Sequence, residues 1–320
     1  MKTLSLCVPC YNEEAAIPIF LAKTLPILNG LKSAGKIAAF EIILIDDGST
    51  DSTLALMKNA AAENAAIRYL SFSRNFGKEA AIIAGLEKST GDFVALLDVD
   101  LQDPPDLLPA MLDAVLSGDF DMAATRRVTR QNEPPIRSFC ARLFYKIINF
   151  FSDIHIVDGA RDFRLMSRAV VDSILRLTER NRFSKGIFAW VGFRTRYFEF
   201  ENVERSAGQT KWNFLKLLRY ALDGITAFST KPLAFASYLG LTSVALSILF
   251  IAFIIARRLI FGDPVQGWAS LTCIIAFIGG IQLLCLGIIG QYLAKTYVET
   301  KARPLYFIQC ESGGENPRST

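Results

Sequence analysis

Phe93-Val94-Ala95-Leu96-Leu97-Asp98-Val99-Asp100-Leu101-Gln102-Asp103-Pro104-Pro105 joins an apolar run to three carboxylates and an amide in quick succession. The run 93–97 reads as a buried strand, which puts the acidic group at the strand's C-terminal end, where open α/β sheets bind ligands. In an extended segment residues two apart face the same way, so Asp98, Asp100 and Gln102 line one side while Val99 and Leu101 pack on the other. Hard oxygen donors in this number suit Mg²⁺ or Mn²⁺ bridging to a substrate phosphate better than zinc. An acidic surface turn closed by Pro104 and Pro105 uses the same residues, so the rest of the chain has to decide between them.

Upstream, short apolar runs alternate with helix-like stretches, the pattern of a parallel sheet with crossover helices. Strands are predicted over 3–9, 40–45 and 67–71. Tyr11-Asn12-Glu13-Glu14 carries polar groups out of the first, and a helix over 15–31 follows, with Pro18 and Pro26 expected to break or shift it. The second ends in Asp46-Asp47-Gly48-Ser49-Thr50-Asp51. Gly48 permits a tight turn, Ser49 or Asp51 can cap the next helix, and Asp46 and Asp47 are acceptors for nucleobase N–H groups or ribose hydroxyls. After the third comes Arg74-Asn75-Phe76-Gly77-Lys78, whose cations suit a pyrophosphate, although the loop lacks the glycine and hydroxyl of a Walker A motif.

Downstream of Pro105, a helix to about Ser117 and a strand over 121–125 precede Arg126, Arg127, Arg130 and Arg137, which either hold phosphate or form a solvated loop drawn to lipid head groups. Residues 138–151 are aromatic-rich and amphipathic, as an interfacial segment is. Asp158-Gly159-Ala160-Arg161-Asp162-Phe163-Arg164 reads as a second charged turn before a helix over 167–177, and 194–200 as a strand at a sheet edge.

A hydrophobic fraction of 51% and a mean hydropathy of +0.30 are high for a wholly soluble chain, and the excess lies at 233–256 and 268–294, which carry no charge. Each is long enough to cross a hydrocarbon core of ~30 Å. The short loop between them makes a hairpin, and Lys211, Lys216, Arg219, Lys231, Lys295, Lys301 and Arg303 outweigh the loop's Arg257 and Arg258, which favours cytoplasmic flanks. Met1-Lys2-Thr3 leads straight into a strand with no signal peptide ahead of it. Cys7-Val8-Pro9-Cys10 lies on an apolar strand with no second pair and with His155 as the single histidine, so its cysteines are structural. A net charge of +4 fits work near anionic lipid and is too mild for a nucleic-acid partner.

Taken in order, Pro9-x-Tyr11-Asn12-Glu13, Asp46-Asp47-Gly48-Ser49-x-Asp51 and Asp98-x-Asp100-x-Gln102-Asp103 resemble the motifs of glycosyltransferase family 2 enzymes with a GT-A fold. Asp162-Phe163-Arg164-Leu165, Lys185-Gly186-x-Phe188-Ala189-Trp190-x-Gly192 and Gly208-Gln209-Thr210-Lys211-Trp212 before a hairpin narrow the resemblance. They point to the polyprenyl-phosphate glycosyltransferases, similar to dolichol-phosphate mannose synthase and closest to bacterial bactoprenol glucosyltransferases. It covers about residues 4–303. Mannose synthases usually carry a small polar residue where Asp162 stands, which disfavours a mannosyl role.

The resemblance implies an α/β, GT-A (Rossmann-like, mostly parallel) cytoplasmic catalytic domain over 1–210. An interfacial helix over 211–231, a transmembrane hairpin over 232–295 and a cytoplasmic tail over 296–320 follow, the tail polar and disordered after Cys310. It implies nucleotide-sugar contacts from Pro9, Tyr11, Glu13, Asp46, Asp47, Lys78, Asp98 and Val99, with the base held by the first of these and ribose by Asp98. Asp100 and Gln102 would hold Mg²⁺ or Mn²⁺; Arg126, Arg137 and Lys211 would meet the diphosphate and the lipid phosphate; Asp162, Asp100 and Arg164 would be catalytic. The expected partners are a UDP-sugar, a polyprenyl phosphate, membrane lipid and further copies of the chain, at a bacterial inner membrane. Glucose is the expected sugar, with N-acetylglucosamine, formamido-arabinose or GDP-mannose as alternative donors. A non-catalytic sugar-nucleotide-binding scaffold is the competing class; a processive synthase would need more spans and a Gln-x-x-Arg-Trp motif.

Overall fold

The computed structural model describes residues 2–128, 149, 156–201, 226, 229–261 and 267–313. The expected interfacial segments at 138–151 and 211–231, with Arg137 and Lys211, lie almost wholly outside these residues.

Strands β1 (Thr3–Cys10), β2 (Ala39–Asp46), β3 (Ile67–Phe72), β4 (Phe93–Leu96), β5 (Met122–Arg127), β6 (Ala160–Ser167), β7 (Thr195–Phe200) and β8 (Ile308–Glu311) form one sheet in the order β7-β5-β6-β4-β1-β2-β3-β8. The strands β4, β1, β2 and β3 run parallel, so their C-terminal ends share one edge. Their near-continuous apolar sequence has its cause in burial on both faces. Leu4, Leu6, Val8, Ile42 and Leu44 pack on α1 (Ala16–Ser33), α2 (Thr53–Glu63) and α4 (Leu108–Leu116). On the other face, Cys7, Ile43 and Ile45 meet α3 (Lys78–Lys88) and α5 (Arg168–Leu175). Cys7 and Cys10 are buried thiols, as their apolar strand implied.

Helix α1 is continuous despite its prolines. Pro18 sits in the first turn, where its missing N–H has no intrahelical partner to lose, and Pro26 is accommodated inside the helix. A larger departure is the charged segment expected as a turn at 158–164. Its second half is β6, an interior strand antiparallel to both β4 and β5. Phe163, Leu165 and Met166 supply the apolar packing, and the interleaved Arg161, Asp162 and Arg164 are tolerated because each is ion-paired or stacked. β7 does lie at an edge, parallel to β5.

Among the described residues, two helices are long and apolar enough to cross a membrane: α7 (Lys231–Phe261) and α8 (Trp268–Lys301); a short α6 (Ser184–Trp190) precedes them. They form an antiparallel hairpin, with Tyr292 Oη donating to the Ser229 carbonyl (2.6 Å) and Cys285 Sγ to that of Ala236 (3.5 Å). Exposed Leu249, Phe253, Leu259, Leu283 and Leu286 leave the pair apolar on its outside. α8 continues past the expected end at 294 to Lys301. The chain then returns to the sheet, where the stretch expected as a tail adds β8 antiparallel to β3, a strand that takes in only Glu311 of the part expected to be disordered. The sheet therefore takes its strands from both ends of the chain, with β1 in its interior and β8 at one edge.

Candidate active site

At the C-terminal edge of β1, β2 and β4, a cleft of about 300 Å³ is lined by Pro9, Cys10, Tyr11, Glu13, Asp47, Asn75, Gly77, Lys78, Ala81, Asp98, Val99 and Asp100. Eight of the expected site residues thus meet in one place. Two loops floor it. Asn12, at a φ of 55°, donates its N–H to Ser49 Oγ (2.9 Å), and its side-chain oxygen accepts from Thr50 N–H (2.9 Å). Glu13 N–H donates to Thr53 Oγ1 (2.8 Å), and Asp51 accepts Thr53 N–H (3.0 Å) at the start of α2. Tyr11 remains exposed beside this lacing, a ring face available to an aromatic base.

Asp46 and Asp47 divide their labour. Asp46, 1% exposed, accepts from Ser49 N–H (2.9 Å) and Ser71 Oγ (2.6 Å), so it shapes its own loop and does not line the cleft. Asp47 faces the cleft yet accepts the N–H groups of Phe76 (2.7 Å) and Gly77 (2.9 Å), tying the β3–α3 loop to the β2 loop. Gly48 is required where these loops touch: at φ +67°, a Cβ there would lie 2.4 Å from the Arg74 carbonyl carbon.

The acidic stretch is a turn rather than an extended run. β4 ends at Leu96, and Leu101 takes a φ of 55°, a costly conformation for a non-glycine that collects at functional sites. Asp100 Oδ1 accepts the Gln102 N–H at 3.2 Å. The expected division of faces holds all the same: Val99 and Leu101 are buried, while Asp98, Asp100 and Gln102 keep partial exposure. Asp103 leaves the cation-seeking set. It is 1% exposed and takes two hydrogen bonds from Arg161 Nε (3.0 and 3.2 Å), and Arg161 also donates to Gln102 Oε1 (3.3 Å).

Lys78 is the hinge of the site. Its ammonium lies 2.8 Å from Asp98 and 2.6 Å from Asp162, joining β4's end to β6. Burial opposes the charge, but the two carboxylates outweigh it and push the lysine pKa up. Burial likewise opposes charge on Asp162, yet Lys78, Lys185 and Arg164 together hold its carboxyl well below the usual carboxylate range. Arg164, 2% exposed, acts from behind: its guanidinium stacks 4.2 Å over Phe188 and donates to Met122 Sδ (3.7 Å). Arg126 stands away from the cleft lining, donating to the Asp158 carbonyl (3.0 Å) and Glu199 (3.4 Å).

Sequence reasoning missed two contributors. Lys185, on α6, enters through its charge on Asp162, and Glu79 receives Ser184 N–H (3.1 Å) and hydroxyl, fixing the start of α6. The signal for the first was present in the Lys185-Gly186 motif. For a metal, no group of three or more His, Cys, Asp or Glu exists among the described residues. The donor set at the turn is oxygen only, Asp100 with the Gln102 carbonyl. That fits a cation such as Mg²⁺, which binds through one or two carboxylates plus phosphate and water.

The glycosyl transferase family 2 model matches residues 5–175, from β1 through α5. A prophage bactoprenol glucosyl transferase homolog of Escherichia coli is 44% identical over 306 residues, 96% of this chain and 98% of its own. The bactoprenol glucosyl transferase of Shigella phage SfX matches at the same 44% over 306 residues, with 96% and 98% covered. An uncharacterized glycosyltransferase of Synechocystis is 44% identical over 305 residues, 95% of this chain and 94% of its own. A mostly parallel sheet whose acid-bearing loops meet at one edge, and relatives that align from end to end, lead to one assignment: the chain belongs to glycosyltransferase family 2, as a transferase of GT-A fold.

Proposed function

We propose that the enzyme transfers glucose from UDP-glucose to a polyprenyl phosphate such as undecaprenyl phosphate, with Mg²⁺ or Mn²⁺, at the cytoplasmic face of a bacterial inner membrane. The observation that carries this is the ion triad of Asp98, Lys78 and Asp162, the first two lining a cleft of about 300 Å³, in a chain that also holds an apolar hairpin. The relatives named bactoprenol glucosyl transferases support the choice of acceptor and sugar.

The chemistry follows from the charges. A phosphate monoester has a second pKa near ~6, so a lipid phosphate arrives largely as the dianion and attacks the anomeric carbon without losing a proton. Asp162, held ionised and hydrogen-bonded to Lys78, is a weak base and acts by accepting hydrogen bonds from the sugar and orienting it. Lys78 carries a fixed positive charge beside the leaving diphosphate. Asp100 and Gln102 would hold the divalent cation, which supplies charge neutralisation of the departing diphosphate. Tyr11 and Asp47, which line the cleft, would meet the base and ribose of the donor. A single displacement gives a β-linked product from an α-linked donor. The hairpin, with its positive flanks, keeps this cleft at the membrane surface from which a polyprenyl chain cannot depart.

The test is a panel of radiolabelled UDP-sugars with undecaprenyl phosphate, scored as lipid-extractable label with and without chelator. UDP-glucose with Mg²⁺ or Mn²⁺ is expected to give product, and Asp100→Ala to lower turnover by roughly 10²-fold or more while the protein stays in the membrane fraction. Full turnover of wild type in excess chelator would remove the metal from the reading, and label from another sugar alone would replace glucose.

A further inference from the structure

We propose that the segment after the second apolar helix, residues 304–311, is a working part of the donor site: Phe307 and Tyr306 are positioning residues that brace loop 73–78 and thereby set the cleft's affinity for a nucleoside diphosphate. The inference rests on the reading of the cleft as a nucleotide-sugar site.

The segment is firmly attached to the sheet. β8 pairs antiparallel with β3, Glu311 bridges to Lys88 (2.7 Å), and Ser312 N–H donates to the Tyr69 carbonyl (2.9 Å). Just ahead of β8 its contacts turn toward the cleft. Ser73, the first residue of the loop, donates its N–H to the Phe307 carbonyl at 2.9 Å. The Tyr306 ring stacks on Phe72 with centroids 4.8 Å apart, and its hydroxyl donates to Glu87 on α3. The Phe307 ring lies 6.1 Å from Phe76, which meets Phe72 edge-on at 5.8 Å and carries the Arg74 guanidinium 4.2 Å over its face.

Phe76 is where this bracing reaches the chemistry. Its N–H and that of Gly77 hold Asp47, the next residue is Lys78, and Asn75, Gly77 and Lys78 line the cleft. Phe307 is 56% exposed, so its ring adds little to the core. The aromatic chain from Phe307 through Phe76 therefore acts on loop geometry, and through it on the ligand. A consequence is that the part of the chain that emerges from the hairpin helps to build the pocket at the opposite end of the sequence.

The experiment measures UDP binding to the full-length enzyme in nanodiscs by titration calorimetry with Mg²⁺ present, beside thermal transitions and the KM for undecaprenyl phosphate. Phe307→Ala is expected to weaken UDP binding about three- to ten-fold, the size of one aromatic contact, with the thermal transition and acceptor KM unchanged. Phe307→Leu, which keeps bulk without the ring, is expected to lose about two-fold, and Tyr306→Leu, which removes the stack on Phe72 and the hydroxyl bond to Glu87, to weaken UDP binding as well. In a cycle with Phe76→Ala, the second substitution should add little to the first. Wild-type UDP affinity in both Phe307 variants overturns the proposal, as does a loss that merely tracks a lowered thermal transition. Absence of UDP binding by the wild type overturns the donor reading itself.

Discussion

Asp162 and Lys78 show how two residues set each other's chemistry. The carboxyl is held below its ordinary pKa and the ammonium above its own, so both stay charged through the neutral range. For Asp162 the sign is that of a depressed carboxylate: the stabilisation drawn from Lys78 is complete above about pH 4 and fades as pH falls below that value. For Lys78, with a raised pKa, the contribution is full below about pH 10 and is lost only above it. Neither group titrates between about pH 5 and 9. Asp162→Asn is therefore expected to lower kcat by roughly 10²-fold at every pH in that window without moving the inflections of the rate profile. An ionisation that disappears from the profile in the variant would instead mark Asp162 as a proton acceptor. These residues were legible because their motifs are short and local. The inward turn of Asp46 was not, since its partners Ser49 and Ser71 come from a loop and a neighbouring strand.

Among the elements, the parallel half of the sheet was readable because burial on both faces writes a near-continuous apolar run into β1, β2 and β4. β6 hid itself for the converse reason. Arg161, Asp162 and Arg164 look like a solvated turn, and their partners at Asp103, Lys78 and Phe188 are distant in sequence. β8 was hidden because four residues at a sheet edge, with only partial burial, give no periodic signal. The Arg161–Asp103 pair tests whether β6 needs its charges. Removing one member of a buried pair strands the other, at a cost of about 3–5 kcal/mol. Arg161→Leu should accordingly lower the thermal transition clearly, and the double variant Arg161→Leu with Asp103→Leu should recover much of the loss. Equal stability of the single and double variants would show that Asp103 finds another partner. Because Arg161 also holds the Gln102 side chain, the single variant should in addition weaken metal activation.

At the scale of the molecule, the hairpin reaches the domain that holds the cleft. α7 and α8 are 31 and 34 residues long, about 46 and 51 Å at 1.5 Å per residue, against a hydrocarbon core of ~30 Å. With Ser229 set against Tyr292, the last turns of α8 run on beyond the start of α7 toward the catalytic domain. There Glu299 accepts the backbone N–H groups of Arg180 (2.7 Å) and Asn181 (2.9 Å), and Arg180 Nε donates to the Arg303 carbonyl (2.6 Å). Those residues lead into α6, whose Ser184 is held by Glu79 and whose Lys185 acts on Asp162. A continuous set of contacts thus runs from the end of α8 to Asp162. Hydrogen bonds to a charged group contribute about 1.5–3 kcal/mol, and 1.4 kcal/mol is ten-fold in an equilibrium. Glu299→Ala is therefore expected to leave membrane retention and UDP affinity unchanged and to lower turnover on the lipid acceptor about ten-fold. Both N–H groups use the same oxygen, Oε1, so Glu299→Gln should stay within about two-fold of wild type. Turnover on the lipid acceptor that is unaltered in Glu299→Ala would show that α8 does not hold the site, and a matching loss in Glu299→Gln would assign the effect to the charge rather than to the two hydrogen bonds.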